Sequence, residues 1–499
     1  MKMNLIPAEP KVTGNYFCTW DSQCDHMYTW NERPKDRSAR DAMCDDFLFG
    51  ENGLLQSFEG VREDLIVVLD DGWDVPYGAS DHRIFGSLEA DPERFPALRD
   101  LSPAERLKNL SERIQAMSYR GLGLWVPAQS PSLTGGKEST RTPQEERLYW
   151  EERAGWCGEA GVLYLKVDWG AHSGDAEYRK MMTECMRKYA PGLSVEHAYV
   201  GHPLFEKDGP EVPQERQEYL QKVLPVSDYL RTYDVCHELK YASTVDRAAI
   251  CLKAAHACRS DAVLNIEDTA LIGAALGCAV GVMRHDLEKK RKYVTLPPRL
   301  VSETAAALRW QRIAPPFAAG STDLAVSGER LKDVWHCPKR EPGLWPDVPQ
   351  GDYYVTAPAL IARNMPLPEV CADGDKPYVL CSIHPDNGAL CVAITPRTFV
   401  EGVDLAPLAD IRVKGGSPDK PVGLFGRFSS LAIEFEQPVE NLRVYAQNLL
   451  CDAAVDVTAQ VMLSGSRLTI PGNLMLTVGA PEDGDNGIPA IVLKLFKIR

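Results

Sequence analysis

The sequence predicts a (β/α)8 barrel followed by a C-terminal antiparallel β-sandwich. Eight short apolar runs recur through the first 290 residues, and helical patterns separate several of them. Beyond residue 316 the texture changes to short alternating strands divided by turn residues. Strands alternating with helices imply βαβ units on a parallel sheet, and eight such units match the barrel. An open doubly wound sheet is the runner-up, but no Gly-rich phosphate fingerprint follows the first strand.

The expected strands are "YFCTW" (16–20), "LIVVLDD" (65–71), "GLGLWVP" (121–127) and "VLYLKVDWG" (162–170). They continue with "LSVEHAY" (193–199), "DYLRTYDV" (228–235), "AVLNIED" (262–268) and "CAVGVMRHD" (278–286). Continuous apolar runs of this length read as strands buried on both faces. Between them, the stretch 102–121 opens with a serine cap and Pro103 and closes on a glycine, as a helix does. Stretches 174–192 and 244–260 carry similar helical patterns. A further helix over 297–316 ends the barrel, and proline and glycine cluster at 339–353 before the short strands continue. The division expected is 1–315 for the barrel and 316–499 for the sandwich.

Composition excludes several classes. The 499-residue chain is 44% hydrophobic and 25% charged, ordinary for a packed protein. A net charge of −15 argues against a nucleic-acid partner, and the strongest basic run, "LEKKRKY" (287–293), is short. No stretch of eighteen apolar residues suggests a membrane span, and "ALIGAALGCAVGVM" (270–283) reads as buried core. The N-terminus lacks the apolar segment of a signal peptide. Fourteen cysteines without a C-x-x-C pair are expected as free thiols, which points to a cytoplasmic protein.

In such a barrel the active site lies at the C-terminal ends of the strands. The strand ends then supply the candidates: Trp20, Asp70 with Asp71, Trp125, Lys166 with Asp168, Glu196, and Arg231 with Asp234. Carboxylates and indoles at one rim suit a sugar, whose hydroxyls donate to acids and whose C–H face stacks on aromatic rings. Lys166 and Asp168 are two apart and share a strand face. An ammonium beside a carboxylate favours the ionised form that a nucleophile needs. A second acid, at Asp234, could protonate a leaving oxygen, and two carboxyls are the minimum set for glycoside hydrolysis. Singly, a Lys-x-Asp pair is usually an ordinary ion pair and each tryptophan can be packing. Position at successive strand ends is what raises the set above that.

"VVLDDGWD", "LYLKVDWG" and "LRTYDV", in this order, resemble the signature of clan D glycoside hydrolases, families 27 and 36. These include α-galactosidases, α-N-acetylgalactosaminidases and raffinose-synthase-like proteins. The resemblance implies that Asp168 attacks the anomeric carbon and Asp234 is the acid/base. It implies that Asp70 and Asp71 hold the hydroxyls at C4 and C6, that Lys166 and Arg231 bind hydroxyls and support the nucleophile, and that Trp20 walls the sugar subsite. After strand 5, "SVEHAYVGHPLF" has neither the cysteine nor the glycine pair usual in the clan, which leaves the sugar open.

The expectation is therefore a retaining exo-glycosidase for α-galactoside-like linkages, needing no cofactor and no metal, with a carbohydrate as its partner and self-association undecided. Alternatives are a transglycosylase on the same residues, or a glycosidase for a related sugar such as an α-N-acetylgalactosaminide or a β-L-arabinopyranoside. A different class would be a metal-dependent lyase or isomerase with Asp70, Asp71, Glu196 and Glu267 as oxygen ligands, or an inert carbohydrate-binding barrel.

Overall fold

The computed structural model describes residues 3–27, 39–79, 81–132, 141–198, 214–232, 238–283, 296, 298–337, 351–399, 404–481 and 487–497. Eight parallel strands close a barrel in chain order: β1 (Tyr16–Cys18), β2 (Ile66–Leu69), β3 (Gly121–Val126), β4 (Tyr164–Val167), β5 (Ser194–Ala198), β6 (Tyr229–Arg231), β7 (Val263–Glu267) and β8 (Ala279–Val282). β8 pairs back onto β1 through Tyr16 opposite Gly281. Asn15 helps seal this seam, accepting from Val280 N–H and donating to Gln311.

Helices α1 (Trp20–Met27), α2 (Asp45–Phe49), α3 (Pro103–Ala116), α4 (Pro143–Ala160), α5 (Ala176–Tyr189), α6 (Gln214–Val223), α7 (Lys240–Cys258), α8 (Ala270–Leu276) and α9 (Pro298–Gln311) accompany them. The local sequence explains their ends. Ser102 and Thr142 open α3 and α4 with full capping boxes, each followed by proline at the first turn. Asp175 caps α5 by accepting from Glu177 and Tyr178 N–H. The segment 270–283, expected as buried core, is α8 followed by β8, with Gly277 in the left-handed conformation between them. Strand 1 is shorter than its apolar run, because Trp20 begins α1.

Most C-terminal strands form an eight-stranded and a five-stranded sheet with a shared apolar core, and the rest form two two-stranded sheets, Arg330–Cys337 with Gly351–Pro358 and Arg397–Thr398 with Asp404–Leu405. They are mostly antiparallel, with three parallel pairings. The reason is alternation between sheets. The strand Glu369–Cys371 lies in the five-stranded sheet, so its neighbours in sequence, Leu360–Arg363 and Tyr378–Ile383, meet in the other sheet running the same way.

The two regions are tied by Arg363, which is buried on the sandwich side. It donates to the carbonyls of Leu276 and Gly277 at the end of α8 and of Ala318 beyond α9, and lies 3.9 Å over the Phe317 ring. No carboxylate is among these partners, and burial lowers its pKa to about 10. A cation at a helix C-terminus is favoured by the exposed carbonyls there.

Candidate active site

Barrel interiors of this kind are normally filled by branched aliphatic residues. Here the upper layers are polar. Alternation along the strands points Tyr16 and Cys18 of β1, Tyr164 and Lys166 of β4, Glu196 of β5, Tyr229 and Arg231 of β6, and Asn265 and Glu267 of β7 to one interior. Space for these groups comes partly from Gly281. A Cβ there would lie 2.9 Å from both Asn265 Oδ1 and Glu267 Cγ.

At the rim, Asp168 follows β4 directly. Arg231 donates to its Oδ1 at 2.8 Å, and the Trp125 indole N–H donates to its Oδ2 at 2.9 Å. Both oxygens are therefore oriented, while 13% of the side chain remains exposed. The neighbouring chain is held by Gly170 (φ 146°), whose missing side chain lets it approach the Ala128 backbone; a Cβ would sit 2.8 Å from it. Trp169 then packs on Trp125 (5.4 Å between ring centres), Phe85 (5.8 Å) and His82 (5.0 Å), forming an aromatic wall beside the carboxylate. Trp20, half-buried on α1, packs against the same cluster.

Lys166 is buried and forms the second centre. Its ammonium lies 2.9 Å from Asp70 Oδ2, 3.4 Å from Cys18 Sγ, 3.1 Å from Met283 Sδ and 3.8 Å from Glu267 Oε1. Burial alone would favour the neutral amine, but Asp70 and the other anionic neighbours outweigh it and raise its pKa. Arg231 likewise stays charged against the cost of burial through Asp168 and Glu267. Glu267 joins the two cations, accepting from Arg231 at 3.2 Å and from Tyr16 O–H at 2.5 Å.

The adjacent aspartates separate. Asp70 faces inward, where it also accepts from Cys18 and from the N–H of Asp71. Asp71 points the other way, as successive residues at a strand end do. Arg40 grips it with two bonds of 2.8 and 2.7 Å. Asp71 is thus paired with Arg40, whose guanidinium lies 4.7 Å over the Phe85 ring of the aromatic wall. Glu196 is placed below the mouth with no exposed surface, bonded to Tyr164 and Asn265. Asp234, with Tyr233, lies outside the described residues, as do Arg284, His285 and Asp286. His197 faces away from the barrel and bonds to Arg179 and Thr183, and burial pushes its pKa well down.

The metal reading meets a specific obstacle. Lys166 and Arg231 stand between Asp70, Asp168 and Glu267, where a divalent cation would have to sit, and Asp71 is committed to Arg40. Tyr16 and Cys18 were the members of the site least visible as such, and their spacing of two was the available signal. Arg40 had none.

No family model matches the chain, and no curated protein does. Among solved structures, the chain is similar to a GH27 β-L-arabinopyranosidase from Geobacillus stearothermophilus, with 10% identity, 97% of this chain and 96% of that one covered, and a TM-score of 0.43. It is similar to a candidate α-galactosidase/melibiase from Bacteroides fragilis, with 11% identity, 99% and 80% coverage and a TM-score of 0.44. An α-amylase from Geobacillus thermoleovorans, with 9% identity, 98% and 100% coverage and a TM-score of 0.46, is similar to the same degree.

Proposed function

We propose that the chain is a retaining exo-glycosidase acting on terminal α-galactoside-like sugars, with Asp168 as the nucleophile. The observation that carries this reading is the double hold on Asp168 at the end of β4, by the Arg231 guanidinium on one oxygen and the Trp125 indole on the other. A carboxylate fixed this way presents a lone pair in a constant direction, as displacement at an anomeric carbon requires. The aromatic wall around Trp169 offers a stacking face for a sugar ring. Asp70 and Lys166, held against each other, offer an acceptor and donors for hydroxyls.

In this mechanism Asp168 attacks the anomeric carbon while an acid protonates the departing oxygen. The acid we assign from the sequence motif is Asp234. Water, activated by the same residue, then releases the sugar with its configuration retained. Arg231 and Trp125 hold the Asp168 oxygens in both steps. A transglycosylase would use the same residues with a sugar hydroxyl in place of water. Twelve of the cysteines are free thiols, the state a cytoplasmic setting would keep. Among the described residues no helix is long and apolar enough to cross a membrane.

A panel of aryl α- and β-glycosides, including galactose, N-acetylgalactosamine and arabinopyranose, tests the reading. At least one should be cleaved, with a product of retained configuration by NMR. Asp168→Ala should abolish that turnover, and azide should restore it with an inverted glycosyl azide as product. Full activity in Asp168→Ala would rule the assignment out.

A further inference from the structure

The side chain of Asp168 is held from inside the barrel, and a second set of buried groups meets its main chain from outside. Arg179, on α5 and without exposed surface, donates to the carbonyl of Asp168 at 2.7 Å and to that of Val167 at 3.1 Å. Its Nε donates at 2.9 Å to the Ser173 carbonyl, which also accepts from the Tyr219 hydroxyl at 3.1 Å. One guanidinium thus grips both ends of the turn 168–173, which carries Trp169 and Gly170. The Asp168 N–H donates to Val126 at 2.9 Å, so the peptide groups on both sides of this residue are fixed.

His197 and Thr183, both buried, set the direction of that guanidinium. His197 lies opposite Val167 in the β4–β5 register, and Thr183 follows Arg179 by one turn of α5. Arg179 is 3.2 Å from His197 Nδ1, while Thr183 Oγ1 is 2.8 Å from Nε2 and 3.1 Å from the Arg179 carbonyl. A guanidinium only donates, so Nδ1 accepts and carries no proton. The imidazole proton is then on Nε2 and goes to Thr183, whose hydroxyl donates on to the Arg179 carbonyl. Each donor in this circuit meets one acceptor. A proton on Nδ1, in the other tautomer or in the imidazolium, would set two donors face to face. Burial acts in the same sense, pushing the His197 pKa well down, and Arg179 and Arg187 add to the fall.

We propose that Arg179, aimed by the His197–Thr183 pair, is a positioning residue that sets the main chain of Asp168 for attack. It acts through the peptide, while Arg231 and Trp125 act on the carboxylate. The two holds are complementary. The side-chain bonds fix where the carboxylate points relative to its own Cα, and Arg179 fixes where that Cα stands at the rim. A nucleophile displaced by about 1 Å can lose on the order of a hundred-fold in rate.

The role in attack rests on the function proposed above, but the hold on Asp168 does not, so it is tested first without substrate. Nitrogen-15 spectra of the free protein, labelled in histidine and tryptophan, should show His197 protonated at Nε2 alone at pH 7. Loss of the signal in His197→Asn assigns it. The Trp125 indole N–H, assigned by Trp125→Phe, donates to Asp168 Oδ2 and so reports where the carboxylate lies. Its signal should shift in Arg179→Lys, which loses the fork, and in His197→Leu, which loses the acceptor. It should return towards the wild-type position in His197→Asn, whose side-chain carbonyl can replace Nδ1 as the acceptor. A proton on Nδ1, or an indole signal unmoved in Arg179→Lys and His197→Leu, would overturn the proposal. With a glycoside that the protein cleaves, these two variants should lose roughly ten- to a hundred-fold in kcat with KM unchanged. His197→Asn should recover most of that loss; equal losses in His197→Asn and His197→Leu would contradict the aiming role. Should Arg179→Lys or His197→Leu fail to fold, the other variant and the wild-type His197 spectrum decide. Failure to find any glycoside would count against the function alone, leaving the indole result to decide the hold on Asp168.

Discussion

Asp168 depends on two donors of different kinds, and they can be removed separately. Trp125→Phe keeps the ring within the aromatic cluster but deletes the bond to Oδ2. Loss of a hydrogen bond to a charged group costs about 1.5–3 kcal/mol, so kcat should fall roughly ten- to a hundred-fold, since each 1.36 kcal/mol is tenfold in rate. Unchanged kcat with a raised KM would instead make Trp125 a stacking surface. Glu267 lies at the junction of both buried cations. Glu267→Ala leaves them short of a counter-charge, and breaking a buried pair typically costs about 3–5 kcal/mol; the urea midpoint should drop accordingly. At this scale the strand period of two pointed to Lys166 and Asp168, but the cation beside Asp168 is Arg231 and not the expected Lys166, which pairs with Asp70. The sequence did not announce Arg40 as the partner of Asp71, because Arg40 sits 31 positions away with nothing local to point to it.

The strands and helices themselves were legible because their signals are local. The apolar runs at Ile66–Leu69 and Gly121–Val126 are buried along their whole length. The Ser102–Pro103 start of α3 is a capping box in the structure. Strand 8 was legible within 278–286, but the preceding α8 was not, since an all-apolar stretch has no period to distinguish a buried helix from a buried strand. The parallel pairings of the sandwich were also invisible, because they depend on which sheet each strand joins. Gly281 carries an element-level expectation. Gly281→Ala places a methyl against Asn265, Glu267 and Tyr16 within a closed barrel. Overpacking typically costs about 1–3 kcal/mol, so the thermal midpoint should fall.

For the molecule as a whole, buried acids link stability to pH. Burial raises Asp74 to about 6, and Glu196 and Asp71 to about 7, the last despite the opposing pull of Arg40. Groups with raised pKa bind protons more tightly folded than unfolded, so their stabilising contribution is complete below about pH 4 and is lost as the pH rises to about 7. The urea midpoint should therefore fall between pH 5 and 7. Glu196→Gln should make that fall shallower, and a midpoint that rises over this interval would contradict the burial of these groups. The account's central claim, however, is that Asp168 forms the covalent bond to sugar. A slow-turnover fluorinated glycoside of the sugar that the panel identifies should raise the protein mass by one glycosyl unit, and peptide mapping should locate it on Asp168. A glycosyl unit found on another residue, or none during slowed turnover, would contradict it.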